Sequence, residues 1–386
     1  MINENKGGMV LPKARQPRVL DLFSGCGGMS WGLHKAGFEI IGGIDTWAQA
    51  LRTFEFNHPN AKIIERDISG LKTSEVMQLL NLDVEDLEVL VGGPPCQGFS
   101  KNQTASNRFI EDPRNQLYKD FMRFVKDLKP KVVIMENVAE IYNAFDGYVR
   151  KEVIETFNKL GYSVNVKVLT AADYGVPQKR RRCIFLAVRG NLIPEFPTPT
   201  HSVSEDQDAL FPVNTYVSAW EAIKGLPKPS DEPDALVKYT DKPSSTFEEW
   251  VRNPTKTVAN HYIHPLQPTQ TKRYLALKPG QDIRHLPKNL RPKSGYSGAY
   301  GRLDFTSVAP TITRWVFHPG SGRYGHPKEP RIITMREAAR LQSFTDDFFF
   351  TGSKNEIAGQ IGNSVPPLLM FSLAPTIKRL LNNLNS

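Results

Sequence analysis

Between Arg18 and Arg189 the chain alternates short β-branched runs with longer amphipathic ones, and nothing else in it restricts the fold so strongly. PRVLDLFSG reads as a strand closed by a glycine turn, GGMSWGLHKAGF as a helix ending near Gly37, and EIIGGID as the next strand. AQALRTFEFNH is a second helix, AKIIERDI a third strand and EVLVGGPP a fourth. NQLYKDFMRFVKDLKP is amphipathic, KVVIMENV is another strand, and VIETFNKLGYSV runs from helix into strand. Strands separated by helices of about 10–15 residues pair in parallel and are covered on both faces. The expected fold class is therefore α/β, a doubly wound, mostly parallel sheet.

The alternation stops near Arg189. Residues 190–330 are irregular and rich in Pro, Ser, Thr and Gly, with one helix signal at TYVSAWEAIKGLP. So long a stretch is not a single structureless loop; it reads as a smaller second domain. Helix signals return at ITMREAARLQSF, where Thr334 caps and Glu337 completes a capping box, and SVPPLLMFSLAPTIKRLLNNL reads as a closing amphipathic helix. The expected division is an α/β part (1–189), a smaller irregular part (190–330), a hinge segment (331–358) and a tail returning to the first part (359–386).

No run of about 18 apolar residues indicates a membrane span, and the first 18 residues read as a short flexible lead. Cys26, Cys96 and Cys183 are too few and too far apart for a disulfide framework or a CxxC zinc site, which suits a reducing cytosol. The net charge of +9 favours a polyanionic partner. Its distribution is uneven: residues 201–250 carry four lysines against ten acids, a net of −6, and residues 271–330 carry eleven Lys/Arg against three acids, a net of +8.

Candidate chemistry gathers at the ends of the strands. In DLFSGCGGMS, Gly25, Gly27 and Gly28 permit close approach of backbone and ligand, although Ser30 stands where a dinucleotide fingerprint has its last glycine. Asp45 closes the second strand, where an acid commonly takes ribose hydroxyls, and Asp67 follows the third, where it can accept from an adenine amino group. Each acid could equally be a helix cap or a surface charge. GGPPCQGFS puts Cys96 just past a strand stopped by two prolines, as a nucleophile or as a small turn residue. Glu136 ends the apolar strand VVIM. Desolvation there would raise its pKa and make it a proton donor, the alternative being a buried Glu satisfied by backbone or arginine. In QKRRRCIF, Arg180 and Arg182 share one strand face and could clamp a carbonyl or phosphate, with a solvated basic edge as the plainer reading. Cys26 and Cys183 read as packing residues.

Taken together, DLFSGCGG, Asp45, RDI (66–68), GGPPCQGFS, MENV (135–138), Gln178 with Arg180 and Arg182, REAARLQSF (336–344) and QIGNSVPP (360–367) resemble the DNA (cytosine-5) methyltransferase family, block by block and in its order. GRLDFTSVAPTIT (301–313) is also similar. The resemblance implies a Rossmann-like methyltransferase domain, catalytic and cofactor-binding, over 1–189, a target-recognition domain over 190–330, S-adenosylmethionine as cofactor and cytosine in double-stranded DNA as substrate. It implies that Phe23 packs on adenine, Gly25 and Gly27 admit the methionine part, Asp45 holds the ribose, Asp67 and Ile68 bind adenine, and Leu117, Asn363 and Val365 complete the site. It further implies Cys96 as the nucleophile at C6, Glu136 as the donor to N3, and Arg182, with Arg180, on the O2 side of a flipped-out base. The polar segment 100–114 would close over DNA, and 271–330 would contact it. Two positions depart from the family pattern: Asp45 replaces the usual Glu, and Thr345 replaces a proline. The resemblance suits a cytoplasmic, nucleoid-associated monomer without metal, accompanied by a restriction endonuclease. Rival readings are a transfer-RNA methyltransferase of the same chemistry, a catalytically inactive DNA-binding relative, and a nicotinamide dehydrogenase that would leave the PPC, ENV and QxRxR blocks unexplained.

Overall fold

Side chains alternate along every central strand, so the sheet is buried on both faces. On one face lie Leu20, Leu90, Val133, Met135 and Phe185; on the other lie Val19, Val89, Val132, Ile134 and Leu186. The computed structural model describes residues 15–95, 116–203, 213–233, 235–252, 255–293 and 295–385. The strands are β1 (Arg18–Leu22), β2 (Glu39–Asp45), β3 (Lys62–Glu65), β4 (Val89–Gly92), β5 (Val132–Val138), β6 (Tyr162–Thr170) and β7 (Arg181–Arg189), in the spatial order β3-β2-β1-β4-β5-β7-β6. β1 to β5 pair in parallel, whereas β7 inserts between β5 and β6 and runs antiparallel to both. A mostly parallel, doubly wound sheet is what the alternation predicts. The reversed strand follows from the connection after β6, which has no crossover helix to turn the chain round.

Helices α1 (Gly28–Lys35), α2 (Ala48–Asn57), α3 (Thr73–Leu80), α4 (Gln116–Leu128) and α5 (Tyr148–Lys159) belong to this sheet domain. α4 and α5 cover the first face through Phe121, Phe124, Val153 and Phe157. The second face is closed largely by the far end of the chain. After α6 (Ala219–Ile223), α7 (Thr246–Arg252), α8 (Pro268–Leu275), α9 (Met335–Leu341) and α10 (Lys354–Asn363), helix α11 (Pro367–Asn385) lays Leu369, Met370, Leu373 and Ile377 against β4, β5 and α1. Gly32 lets the two helices touch, because a Cβ there would stand 2.2 Å from the Pro367 carbonyl oxygen. Each such fully buried aliphatic side chain contributes about 1.5–3 kcal/mol.

Residues 190–330 carry little regular structure beyond α6 to α8 and two-residue ribbons. A third core joins them to the rest: Ala219, Phe247 and Ala309 pack with Met335, Leu341, Phe344 and Ile361, and also with Trp31 and Ala50 of the sheet domain. The expected capping box of α9 is present, with the Glu337 N–H donating to Thr334 Oγ1 at 3.1 Å and the Thr334 N–H donating to Glu337 Oε2 at 2.7 Å. α3, α7, α8 and α10 go beyond the sequence reading. α10 is opened by a further box, Ser353 with Glu356, placed in a polar stretch without an apolar run to announce it. Thr345, the departure from the family's proline, accepts the buried Trp31 indole N–H at 2.8 Å and donates to Asp347. A hydroxyl has taken over the position.

Candidate active site

Order reverses beside β1: the chain runs outward from β1 through β2 to β3, then returns to β4 on the other flank. Ligands of open α/β sheets bind at such a switch point, beyond the carboxyl ends of the strands. A cavity of about 680 Å³ opens there, a size that suits a nucleoside-scale ligand.

The turn after β1 forms its floor. Phe23 and Gly25 both take left-handed backbone angles, φ 60° and 53°. For Phe23 this costs of order 1–3 kcal/mol, the kind of strain that persists where a site over-determines it. The Gly25 N–H donates to Asp45 Oδ2 at 2.8 Å and the Trp47 N–H donates to Oδ1 at 2.9 Å, so Asp45 ties the turn to the start of α2. Asp67 and Ile68 follow β3 on the same wall. Asp67 caps its turn through the Ser69 side chain and N–H, which hold its carboxyl below the usual carboxylate range. Leu117 of α4 and Asn363 and Val365 of the tail complete the enclosure. Val365 closes tightly: a Cβ on Gly28 would stand 2.5 Å from its carbonyl oxygen.

The other end of the cavity is built from β4, β5 and β7. Glu136 Oε1 and Arg182 Nε form an ion pair at 2.6 Å, with both side chains mostly buried. Gly93 makes room for it, since a Cβ there would lie 2.9 Å from Glu136 Oε2. The Asn137 side chain donates to the Pro94 carbonyl at 3.0 Å, clamping the end of β5 to the prolines that follow β4. Pro94 and Pro95 line the cavity; Cys96 and the segment 100–114 lie outside the described residues. The two described cysteines are buried, and burial pushes both thiols up to about 12.

Several sequence expectations change in detail. Gly27 is not on the cavity wall; its left-handed turn opens α1, and a Cβ there would run into the Phe54 ring at 2.8 Å, so packing demands this glycine. Gly28 stands on the wall in its place. The Glu136 carboxylate is not merely desolvated by its apolar strand, because it is held in an ion pair. Arg180 lies at the cavity, but its Nη atoms donate to the carbonyls of Ile312 and Gly362, at 3.1 and 3.0 Å, fastening the segment before α9 and the tail to β7. Gln178 does similar work, accepting the Ile312 N–H at 2.8 Å and donating to the Leu341 carbonyl.

Two cavity residues escaped the sequence reading. Trp47 presents an indole beside Asp45 and packs against Gly359 of α10; its signal was an aromatic just past a strand end. Asp21 is buried beside the turn, accepts from Ser30 Oγ at 2.6 Å, and is pushed up to about 7 by burial. The signal there was an acid inside an otherwise apolar strand.

The C-5 cytosine-specific DNA methylase profile matches residues 17–379, which include every one of these cavity elements. The chain belongs to this family. It is 34% identical to the Type II methyltransferase M.DdeI of Desulfomicrobium norvegicum, across 95% of this chain and 90% of that protein. To the Type II methyltransferase M1.HphI of Haemophilus parahaemolyticus it is 33% identical, across 94% and 87%. A crystal structure of a DNA modification methyltransferase encoded within an E. coli prophage superposes with a TM-score of 0.74 at 27% identity, covering 95% of this chain and all of that one. A Dnmt2 methyltransferase from S. pombe shares the fold, with a TM-score of 0.57 at 20% identity. As a C-5 cytosine-specific DNA methylase the chain is an enzyme, a DNA (cytosine-5-)-methyltransferase. Among the described residues no group of His, Cys, Asp or Glu could hold a metal ion, and no helix is long and apolar enough to cross a membrane.

Proposed function

We propose that this enzyme flips a cytosine out of a specific double-stranded DNA site and methylates C5 through a covalent adduct between Cys96 and C6, with S-adenosylmethionine as donor. The observation that carries the reading is the Glu136–Arg182 pair at the end of the cavity reached by Pro94 and Pro95. Cytosine C5 is a poor nucleophile until a thiolate adds at C6 and a proton is supplied at N3. Cys96 follows directly on the two prolines, and burial keeps the other two thiols, Cys26 and Cys183, protonated. Glu136, once it has taken a proton from solvent and left its ion pair with Arg182, supplies that proton at N3, and Arg182 is then free to hold O2. Arg180 assists through Nε, the donor that its anchoring to Ile312 and Gly362 leaves over. Once C5 carries the methyl group, a water takes the C5 proton, the C6–S bond breaks to release the Cys96 thiolate, and N3 returns its proton to Glu136, which restores the ring.

The cavity fits the cofactor. Two buried polar atoms of residues on its wall, Ser24 Oγ and Gln360 Oε1, have no partner among the described residues, and such groups call for a polar ligand. Phe23 and Trp47 offer faces to adenine, Asp45 takes the ribose, Asp67 and Ile68 the adenine edge, and Gly25, Gly28, Leu117, Asn363 and Val365 shape the rest. Bound there, S-adenosylmethionine would supply an electrophilic methyl group. Asp21 is placed to favour its positive charge. Because the Asp21 carboxyl titrates near 7, cofactor affinity should rise as pH goes from about 6 to 8 and the group ionises. Asp21→Asn should flatten that rise, as read by titration calorimetry of cofactor alone.

Residues 190–330 form the target-reading domain in this proposal, with the basic stretch 271–330 meeting the DNA backbone. The proposal includes a cytoplasmic, monomeric enzyme, and the Type II names of its relatives favour a modification role beside a restriction endonuclease. Bisulfite sequencing of DNA from cells expressing the protein tests the proposal. A methylated cytosine at one repeated motif is expected, and it should vanish with Cys96→Ser. Methylation confined to transfer RNA, or full activity of Cys96→Ser, would overturn it.

A further inference from the structure

The basic stretch holds one carboxylate that is out of place. Asp282 is fully buried, yet its partner Arg284 is largely exposed, His285 a little under half and Arg323 about one-third so. Burying a carboxylate is costly unless it is paired and hydrogen-bonded. Asp282 is paired several times over: Arg284 Nε donates to Oδ1 at 2.9 Å, Arg284 Nη2 to Oδ2 at 2.7 Å, and Arg323 Nη2 to Oδ2 at 3.3 Å. The Arg284 N–H also donates to Oδ1 at 3.1 Å, capping the short turn Ile283–His285. Capping a turn needs only one oxygen. The second is given to two guanidinium groups, and the surface is left with excess positive charge.

The way Arg284 is held matters. A guanidinium has five N–H donors in a rigid plane. Asp282 occupies the edge formed by Nε and Nη2, and the outer edge formed by Nη1 and Nη2 has no partner among the described residues. That outer edge carries the parallel donor pair that matches O6 and N7 of guanine in the major groove. A phosphate contact needs charge but not a fixed plane, and exposed lysines and arginines provide it throughout 271–330.

The arginines are also connected to the reaction site. Arg323 ends the segment 313–323, whose Ser321 hydroxyl donates to the Trp315 carbonyl and whose Arg314 backbone abuts Gly362 on the cavity wall, 2.3 Å from where a Cβ would stand. Trp315 and Tyr296 are both more than half exposed on this segment and its neighbour, as suits a face that meets bases.

We infer that Arg284, held in plane by Asp282, reads a guanine in the recognition sequence, with Asp282 as a positioning residue shared with Arg323. The inference rests on the proposed DNA-methylating function and adds to it a base and a residue. The test is conversion sequencing of a plasmid library with randomised sites, methylated in cells by wild type, Arg284→Ala, Arg284→Lys and Asp282→Asn. Wild type should show an invariant G at one position near the target cytosine. In Arg284→Ala and Arg284→Lys, preference for that G should fall by roughly 10- to 100-fold while the other positions hold. Asp282→Asn should relax the same position although the arginine remains. Unchanged preferences in both Arg284 variants, with activity merely lowered or with Lys fully rescuing it, would overturn the inference in favour of a phosphate contact; so would a wild-type motif without G. Absence of methylation by wild type would instead sink the proposed function itself. Should Asp282→Asn fail to fold, the two Arg284 variants decide the matter, since that side chain is mostly exposed.

Discussion

Glu136→Gln is expected to lower kcat for methyl transfer by roughly 100- to 10,000-fold, with KM for DNA changed by no more than about threefold. The substitution keeps the shape of the side chain and its capacity to donate a hydrogen bond, but removes the proton that can be given to N3. A loss of that size corresponds to about 3–5 kcal/mol of transition-state stabilisation. The ion pair with Arg182 at 2.6 Å is removed as well. Both side chains are mostly rather than fully buried, so the fold should survive, and a thermal melt run beside the kinetics checks this. Single-turnover transfer to a cognate duplex is the measurement. A kcat within about threefold of wild type would exclude Glu136 as the proton donor. Gly93→Ala offers an independent approach to the same group: its Cβ, 2.9 Å from Glu136 Oε2, would push the carboxylate off its position without altering its chemistry.

Why the site could be anticipated from sequence, and where it could not, follows from what local patterns encode. Strand and helix periodicity is local, so β1 to β5 and their order of use could be anticipated, and with them the crevice that holds Asp45, Asp67 and Glu136. The capping box at Thr334 and Glu337 is equally local. Partners distant in the chain are not encoded this way. Gln178 and Arg180 look like their neighbour Arg182, yet their hydrogen bonds go to Ile312, Leu341 and Gly362, more than 130 residues away. Gly27 and Gly28 are adjacent and chemically identical. One is required by Phe54 and the other by Val365, a distinction that exists only once α2 and the tail have packed. Asp21 carried a local cue, an acid inside an apolar strand, but a carboxyl raised to about 7 depends on how deeply the packed sheet buries it.

The same reasoning predicts a large stability effect far from the chemistry. Asp346→Ala should destabilise the protein by about 3–5 kcal/mol, because it strands buried positive charge. Asp346 accepts from Arg340 Nε at 3.1 Å, from Arg340 Nη2 at 2.7 Å and from the Tyr239 hydroxyl, and Arg336 lies 4.0 Å away. Arg336, Arg340 and Asp346 are all buried, at the junction of α9 with α6 and α7. Arg340 also donates to the Ala222 carbonyl in α6 at 3.1 Å, so the charges help hold that junction together. Burial pushes the Asp346 carboxyl up, but Arg340, Arg336 and Tyr239 outweigh it and hold it below the ordinary value of 3.8. A depressed folded-state pKa gives stability that is present above the unfolded value and fades as pH falls through the folded one. The difference between wild type and Asp346→Ala should therefore be full at pH 7 and shrink below about pH 4. Urea titrations at pH 7 and pH 3.5, followed by tryptophan fluorescence, measure both. A variant within about 1 kcal/mol of wild type at pH 7 would mean that solvent reaches Arg340 once the carboxylate is gone, and that the junction owes its stability to the apolar contacts of Phe247, Met335 and Leu341 instead.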